Sequence, residues 1–296
     1  MLKEFLVSLS EEKNFSEHTL KAYSRDLTKF ANFIKKFYIK SFTDICKINR
    51  SQIRQFMGNE FESGLSSKTV ARRLASIKSF FNYLVQFEVI EFSPASQIKA
   101  PKLEKNIPNF IHTNKIKILM SIPDKKTLKG KRDLAILELF YATGMRLSEL
   151  VNLNIGSINY HDRLVKVTGK GNRERVIPFG NHALTALNVY LNERGMGWIT
   201  NEKTPLFTSK NNRRISIRTV QLRMKKYLSQ VLGTKNGASP HVLRHTFGTH
   251  LLDNDADIRS IQELLGHSSM SSTQIYTKVN PKKIKEVYDK AHPHAS

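Results

Sequence analysis

Apolar residues in the first 95 positions recur three or four residues apart, which is the spacing of amphipathic helices. One such helix follows Ser16, which suits an N-cap, and another follows Ser66 and Ser67. A third helix is predicted between them, from Ser51 to Glu62. The pattern predicts a helical bundle over residues 1–95. The apolar stripes of its two long helices are Leu20, Tyr23, Leu27, Phe30 and Ile34 in the first, and Val70, Leu74, Ile77, Phe81 and Leu84 in the second.

The helical pattern stops at a segment rich in proline and lysine. Residues 93–109 read SPASQIKAPKLEKNIPN, with three prolines and no apolar stripe. Such a composition is typical of an extended linker. We therefore predict a domain of residues 1–95, a linker of residues 96–110 and a second domain of residues 111–296.

The second domain mixes helical and strand patterns. KRDLAILELFYATG predicts a buried helix that ends at Gly144, and RLVKVTGKGNRERVIPF predicts a β-hairpin around a Gly-rich turn. Further helices are predicted near 181–194, 216–231, 240–253 and 257–265, with short polar helices at the end of the chain. The fold class is mainly α with a small β-hairpin or sheet: a helical N-terminal domain and a mixed, mostly helical second domain.

The charge suggests a polyanionic partner. The chain has 48 Lys+Arg against 25 Asp+Glu, a net charge of +23, and both domains carry a basic surplus. DNA, RNA or an anionic membrane surface would each suit this surplus, and a solvated Lys-rich surface is the alternative. Basic residues on the two long N-terminal helices are candidates for contacts with double-stranded DNA: Lys21, Arg25, Lys68 and Arg72.

Other classes of protein are disfavoured. No apolar run approaches the roughly 20 residues that span a bilayer. The segment MLKEFLVSLSEEKNF is acidic and amphipathic where a secretory signal needs a long apolar run. The single Cys46 excludes an internal disulfide and a multi-cysteine zinc site. We expect a cytoplasmic protein without membrane contact.

Two segments of the second domain carry a basic residue next to a glycine, where the side chain is expected to point outward. Arg146 in TGMRLSEL lies just after a glycine break and near a helix start, where Leu147 and Leu150 would anchor the helix. Its guanidinium fits phosphate oxygens, although an exposed pair with Glu149 explains it as well. Lys170 lies between two glycines at the predicted hairpin turn, where it would enter a groove or remain solvated.

Two further segments carry histidines and a tyrosine. His241 and Arg244 in SPHVLRHTF are three residues apart and share a helix face beside a core stripe. His241 and His245 are four apart, as in zinc-binding helices, but the glutamate of that motif is absent, so no metal is expected. His267 follows Gly266, a predicted helix C-cap, and Tyr276 lies in a short polar stretch. The alternatives are a capping or core role for His267 and a half-buried ring for Tyr276.

Together these residues have the order Arg146, Lys170, His241-x-x-Arg244, His267, Tyr276. The chain here resembles the tyrosine recombinase (phage integrase) family, and most specifically its Xer type. The segments that carry the resemblance are ATGMRLSEL, VTGKGNRERVIP, SPHVLRHTFGTHLL, LLGHSS, TQIYTKV and VYDKAHPHA, with SEHTLKAYSRDL and SSKTVARRLASIKSFFNYL in the N-terminal half. The resemblance covers nearly the whole chain.

The resemblance implies a site-specific recombinase that cleaves and rejoins DNA without a metal, ATP or another cofactor. Tyr276 would be the nucleophile and would form a 3′-phosphotyrosyl bond, with Lys170 as general acid and His241 as the group that helps to accept the tyrosine proton. Arg146 and Arg244 would clamp the phosphate, and His267 would hydrogen-bond to it. The N-terminal domain would be the core-binding domain.

The resemblance also implies partners and a biological role. It implies a tetramer on two DNA sites, formed by copies of the chain or with a related recombinase, in which the C-terminal segment docks. Ile284, Val287 and Tyr288 have the helical spacing of a docking helix, in cis or in trans. The expected role is chromosome dimer resolution, with a septal DNA translocase as a possible activator.

Several other functions remain open from the sequence. A plasmid or mobile-element recombinase would have the same motifs. A type IB topoisomerase shares the chemistry but relaxes supercoils alone. A DNA-binding module without catalysis would explain the charge and helices, and a metal-dependent nuclease would need carboxylate clusters that are not evident.

Overall fold

The structure, a computed structural model, describes residues 1–11, 15, 17–38, 47–103, 110–169, 174–198, 202–234, 237–266 and 281–295. The chain divides into two compact units, Met1–Asn106 and Ile107–Ser296. The predicted fold class is confirmed: both units are mainly helical, and the second contains one small sheet. None of the described helices is long and apolar enough to cross a membrane.

The N-terminal unit is a helical bundle in which the three predicted helices begin close to their predicted starts and a further helix precedes them. Asn49 caps the third helix with a capping box, in which its side chain accepts from the Gln52 backbone and Gln52 accepts in return. All five predicted core residues of the fourth helix are buried, as are Leu27, Phe30 and Ile34 of the second. The helices are α1 (Leu2–Glu11), α2 (Glu17–Phe37), α3 (Arg50–Glu62) and α4 (Ser67–Gln86).

The second unit surrounds a larger core. Its first long helix, α6, has buried residues around most of its circumference, and the core stripe predicted for α10 at Leu243, Phe247 and Leu251 is fully buried. One element, α5, begins just after the predicted linker in a lysine-containing stretch and was not predicted. The helices are α5 (Thr113–Ser121), α6 (Leu128–Thr143), α7 (Leu147–Asn152), α8 (Asn181–Glu193), α9 (Ile217–Leu232), α10 (Pro240–Asp253), α11 (Ile258–Leu265) and α12 (Pro281–Ala291).

The predicted hairpin is present and belongs to a three-stranded antiparallel sheet. Its strands are β2 (Leu164–Thr168) and β3 (Glu174–Pro178), and the additional strand β1 (Ile158–Asn159) pairs with β2. In the β2–β3 register Val165 faces Ile177 and Thr168 faces Glu174. The strand β3 therefore alternates between a solvent face with Glu174 and Val176 and an inner face with Arg175 and Ile177.

The end of α6 is fixed by a close approach between backbone and ring. Gly144 ends the helix in the left-handed region at φ +56. A Cβ at this position would lie 2.8 Å from Cγ of Phe247 on α10. Glycine is therefore required both by the backbone conformation and by the packing of α10. This junction leads the chain directly into Arg146, the N-cap of α7.

The C-terminal helix packs on the second unit of its own chain. Tyr288 is completely buried, and Ile284 and Val287 pack at the edge of the same core. His292 is also buried, and desolvation lowers its pKa to about 3, so it is neutral. His294 hydrogen-bonds through Nδ1 to Oε2 of Glu138 at 3.1 Å. Ile284, Val287 and Tyr288, the residues with the predicted docking spacing, thus contact the core of their own chain in this structure of a single chain.

We predict that Gly180→Ala loosens this C-terminal segment. A Cβ at Gly180 would overlap the carbonyl oxygen of His294 and lie 2.7 Å from its carbonyl carbon, so backbone must move. Overpacking of this kind costs about 1–3 kcal/mol. We expect a lower free energy of unfolding in denaturant and faster tryptic cleavage after the exposed Lys290. Gly58→Ala is the matched control, because its Cβ would meet no atom within 4 Å. Unchanged stability and cleavage rate in Gly180→Ala would contradict the prediction.

Candidate active site

Arg146 is held at the start of α7 by three hydrogen bonds. Its backbone N–H donates to Oε2 of Glu149 at 2.7 Å, and Nη1 donates to Oε1 of the same carboxylate at 3.0 Å. Nη2 donates to the carbonyl of Gly266 at 2.7 Å. The pair with Glu149 is thus formed, but the Arg146 side chain remains 40% exposed. Part of the guanidinium is therefore accessible to an anion.

Arg244 is more enclosed and joins α10 to two other segments. Its Nη1 donates to the carbonyl of Gly144 at 2.6 Å, and its Nη2 donates to the carbonyl of Leu265 at 2.7 Å. Burial lowers its pKa to about 10, and the positive charges of Arg146 and Arg175 act in the same direction. A group that is destabilised by burial and by like charge gains from an incoming anion. His241 lies one turn earlier on α10 and is exposed.

Arg175 on β3 completes the site, and the sequence reasoning missed it. Its Nη1 and Nη2 donate to Oε1 and Oε2 of Glu149, each at 2.8 Å, and its Nε donates to the carbonyl of Leu264 at 3.2 Å. The available signal was its place on the inner face of β3, where an arginine needs a partner. The sequence suggests Glu149 only as a surface partner of Arg146, but its side chain is 3% exposed.

The three guanidiniums converge on the C-terminus of α11. They bond to the successive carbonyls of Leu264, Leu265 and Gly266, where the helix dipole is negative. We call Arg146, Arg175 and Arg244 the arginine cluster. Glu149 is its buried counter-ion. Burial opposes ionisation of this carboxylate, but hydrogen bonds from Arg175 and Arg146 outweigh burial and hold its pKa below the usual value.

The other three predicted catalytic residues, Lys170, His267 and Tyr276, lie outside the described residues. The described chain nevertheless fixes the segments that adjoin two of them. The strand β2 ends at Thr168 and β3 begins at Glu174, and Lys170 lies between them in the sequence. Gly266, in the left-handed region at φ +65, immediately precedes His267.

The four candidate DNA contacts lie on α2 and α4 of the N-terminal unit. Arg25, Lys68 and Lys21 are all exposed, and Lys21 also donates to Oε1 of Glu17 one turn away at 2.6 Å. Arg72 forms an ion pair with Asp26, a buried carboxylate on α2 that Arg73 also approaches. Arg72 therefore also ties α2 to α4.

One group in the described chain brings metal-type ligands together. Donor atoms of Glu138, His182 and His294 lie within 4.8 Å of one another. The group joins α6 and α8 to the C-terminal segment and contains none of the predicted site residues. His241 and His245, four apart on α10, are both exposed.

Comparison with known proteins identifies the chain. It matches the phage integrase family over residues 109–283 and the phage integrase N-terminal SAM-like domain over residues 2–87. The tyrosine recombinase XerC of Thermodesulfovibrio yellowstonii is 40% identical over 296 residues, which cover 99% of this chain and 96% of that protein. The chain belongs to the phage integrase family of tyrosine recombinases. The tyrosine recombinase XerC of Myxococcus xanthus is 39% identical, covering 100% of this chain and 98% of that protein.

Solved structures agree with this family at the level of the fold. XerH recombinase bound to palindromic difH, in a post-cleavage complex, has a TM-score of 0.70 at 18% identity and covers 98% of this chain and 81% of its own. A lambda integrase dimer bound to a COC′ core site has a TM-score of 0.69 at 16% identity, and the match covers 94% of this chain and 98% of the integrase chain. The family match and the XerC relatives, which the chain covers almost completely, show a site-specific DNA recombinase of the Xer type.

Proposed function

We propose that the chain resolves chromosome dimers by cutting and rejoining DNA through a covalent bond to Tyr276. Six residues would carry the chemistry without a metal ion, ATP or another cofactor: Arg146, Lys170, His241, Arg244, His267 and Tyr276. The protein would act in the cytoplasm as a tetramer on two DNA sites, alone or with a related recombinase. A septal DNA translocase would activate it.

The observation that supports the proposal most directly is the arginine cluster. Arg146 and Arg244 come from segments almost 100 residues apart and reach adjacent carbonyls at the end of α11. The next residue after those carbonyls is His267. The cluster has three guanidiniums and one buried carboxylate, which pairs with Arg146 and Arg175, so it keeps a positive surplus for an anion. A phosphodiester fits this surplus.

The chemistry exchanges one phosphodiester for another. The Tyr276 oxygen attacks phosphorus and loses its proton with help from His241. The bond from phosphorus to the 5′-oxygen breaks, and Lys170 gives that oxygen a proton. Arg146 and Arg244 neutralise the charge that builds on the non-bridging oxygens, the role that metal ions take in many nucleases. The 3′-phosphotyrosyl bond then allows a 5′-hydroxyl to reverse the step without ATP.

The experiment that tests the proposal is a search for the covalent adduct in excess EDTA. A nicked duplex is first selected from a random-sequence library by the wild-type protein, because the DNA site is unknown. We expect a protein–DNA adduct on a denaturing gel. The tryptic peptide Ser260–Lys278 contains Tyr276 as its one tyrosine, and fragmentation of the adduct peptide in the mass spectrometer separates linkage to Tyr276 from linkage to its serines and threonines.

Each outcome of that experiment has a defined meaning. An adduct in EDTA on the peptide Ser260–Lys278 supports the proposed chemistry. An adduct on another peptide, or one that requires Mg²⁺, overturns it. With the selected site in hand, exchange between two duplexes carrying it tests recombination, and relaxation of a supercoiled plasmid without exchange would instead indicate a topoisomerase.

A further inference from the structure

Arg175 occupies the inner side of the arginine cluster, between the carboxylate of Glu149 and the end of α11. Its side chain is 17% exposed, against 40% for Arg146. We propose that Arg175 is a positioning residue for strand cleavage: it holds Glu149 and the C-terminus of α11 so that Arg146 remains available to the phosphate. This inference deepens the proposed function and rests on it.

The way in which Arg175 and Arg146 share the two carboxylate oxygens of Glu149 supports this role. Arg175 donates one N–H to each carboxylate oxygen at 2.8 Å, a bidentate pair. The Arg146 side chain donates to one of the two oxygens only, at 3.0 Å. Arg175 therefore supplies the larger share of the carboxylate's hydrogen bonds from side chains. Without Arg175, the buried Glu149 carboxylate would have Arg146 as its remaining side-chain donor in the cluster. The carboxylate would then compete with the phosphate for the Arg146 guanidinium.

Packing against Gly266 supports the same role from the other side. A Cβ on Gly266 would lie 2.9 Å from Cζ of Arg175, so the guanidinium packs directly against this backbone. Gly266 also accepts the hydrogen bond from Arg146 Nη2 at 2.7 Å. Arg175 thus fixes both groups that hold Arg146, namely the Glu149 carboxylate and the Gly266 segment. The same segment leads into His267.

The test compares Arg175→Gln and Arg175→Lys with wild type in single-turnover cleavage of the selected nicked duplex. Positional errors at a reacting group cost up to about 100-fold in rate. We expect Arg175→Gln to lower the cleavage rate at saturating DNA by roughly 10- to 100-fold, with the DNA dissociation constant changed by less than about threefold. Arg175→Lys keeps the charge without the bidentate geometry and should recover part of the rate.

The matched control is Lys166→Gln. Lys166 belongs to β2 of the same sheet and forms an exposed ion pair with Glu174 at 2.8 Å. Its removal deletes a cation from the hairpin without touching Glu149 or α11. We expect cleavage at the wild-type rate, which separates the position of Arg175 from a general loss of positive charge on the sheet.

A double variant tests whether Arg175 acts through Glu149. If Arg175 acts through Glu149, its loss should matter much less in a Glu149→Gln background, where no buried carboxylate competes for Arg146. The pH profile gives a second readout. In Arg175→Gln the Glu149 pKa rises towards its ordinary value, so cleavage should recover as pH falls and the carboxylate is protonated. That recovery should be absent from the double variant.

The outcomes distinguish this inference from the proposed function. Wild-type rates for Arg175→Gln at saturating DNA overturn the inference, while a wild-type adduct on Tyr276 still supports the chemistry. Equal losses on removal of Arg175 from the wild-type protein and from the Glu149→Gln variant overturn the part of the inference that acts through Glu149. If wild-type protein forms no adduct with its selected DNA, the proposed function fails, and the inference fails with it.

Discussion

Tyr276→Phe is expected to abolish formation of the covalent adduct while leaving DNA binding almost unchanged. The substitution removes one oxygen, the atom that would bond to phosphorus, and keeps the aromatic ring. Removal of a nucleophile in a catalytic unit costs about 10⁴- to 10⁶-fold, which places the residual rate below detection on a denaturing gel. DNA affinity depends mostly on phosphate contacts from basic residues, so its dissociation constant should change by less than about twofold.

The control for this variant is Tyr160→Phe, at another tyrosine of the second unit. The Tyr160 ring stacks on Trp198 with centroids 5.3 Å apart, and phenylalanine preserves that contact. We expect the wild-type amount of adduct. An adduct that persists in Tyr276→Phe would assign the nucleophile to another residue. Loss of DNA binding together with the adduct would indicate that the substitution acts on folding and not on chemistry.

The helices that the sequence predicts well are those with one buried face. The stripe from Val70 to Leu84 predicts α4 and its start near Ser66 and Ser67, because exposed positions such as Lys68, Ala75 and Asn82 fall between the apolar ones. Contrast is weak in α6, where buried residues run almost continuously from Ala135 to Thr143. There the prediction depends on length and on the glycine that ends the helix. The two-residue strand β1 offers no period and is found only in the structure.

The residues of the candidate site also fall into two groups: those that their own sequence segment reveals, and those whose partners are far away in the sequence. Arg146 and Arg244 are found because each lies in a recognisable segment near a helix start. Arg175 is not, because its partners are Glu149, 26 residues earlier, and Leu264, 89 residues later. No spacing rule links such positions. The pairing of Arg72 with Asp26, 46 residues apart, is invisible for the same reason.

A hydrogen-bonded arginine can serve the fold, the reaction or both, and we propose that Arg244 serves both. Its bonds to Gly144 and Leu265 tie the end of α6 to the end of α11. The lowered pKa of about 10, caused first by burial and then by Arg146, shows that its charge is held at some cost to the unbound protein. We propose that Arg244 keeps its charge for an incoming phosphate, whose negative charge would offset that cost.

Arg244→Gln is accordingly expected to lower the single-turnover cleavage rate by about 100- to 1,000-fold, the usual loss for a preorganised donor to a transition state. The free energy of unfolding should fall by less than about 2 kcal/mol, because relief of repulsion from Arg146 and Arg175 offsets the lost bonds to two carbonyls. Single-turnover cleavage in EDTA and denaturant unfolding measure the two effects separately. Arg259→Gln is the control, since Arg259 is on α11 and its side chain is 82% exposed.

Arg244→Lys distinguishes charge from geometry at the same position. Lysine keeps one positive charge but has no planar fork, so it cannot reach both carbonyls and a phosphate in the arrangement that arginine allows. We expect a cleavage rate between those of Arg244→Gln and wild type, still at least about 10-fold below wild type. A wild-type rate in Arg244→Lys would show that charge alone suffices. A rate within about threefold of wild type in Arg244→Gln would remove Arg244 from the phosphate clamp, because neither its charge nor its fork would then be needed for cleavage.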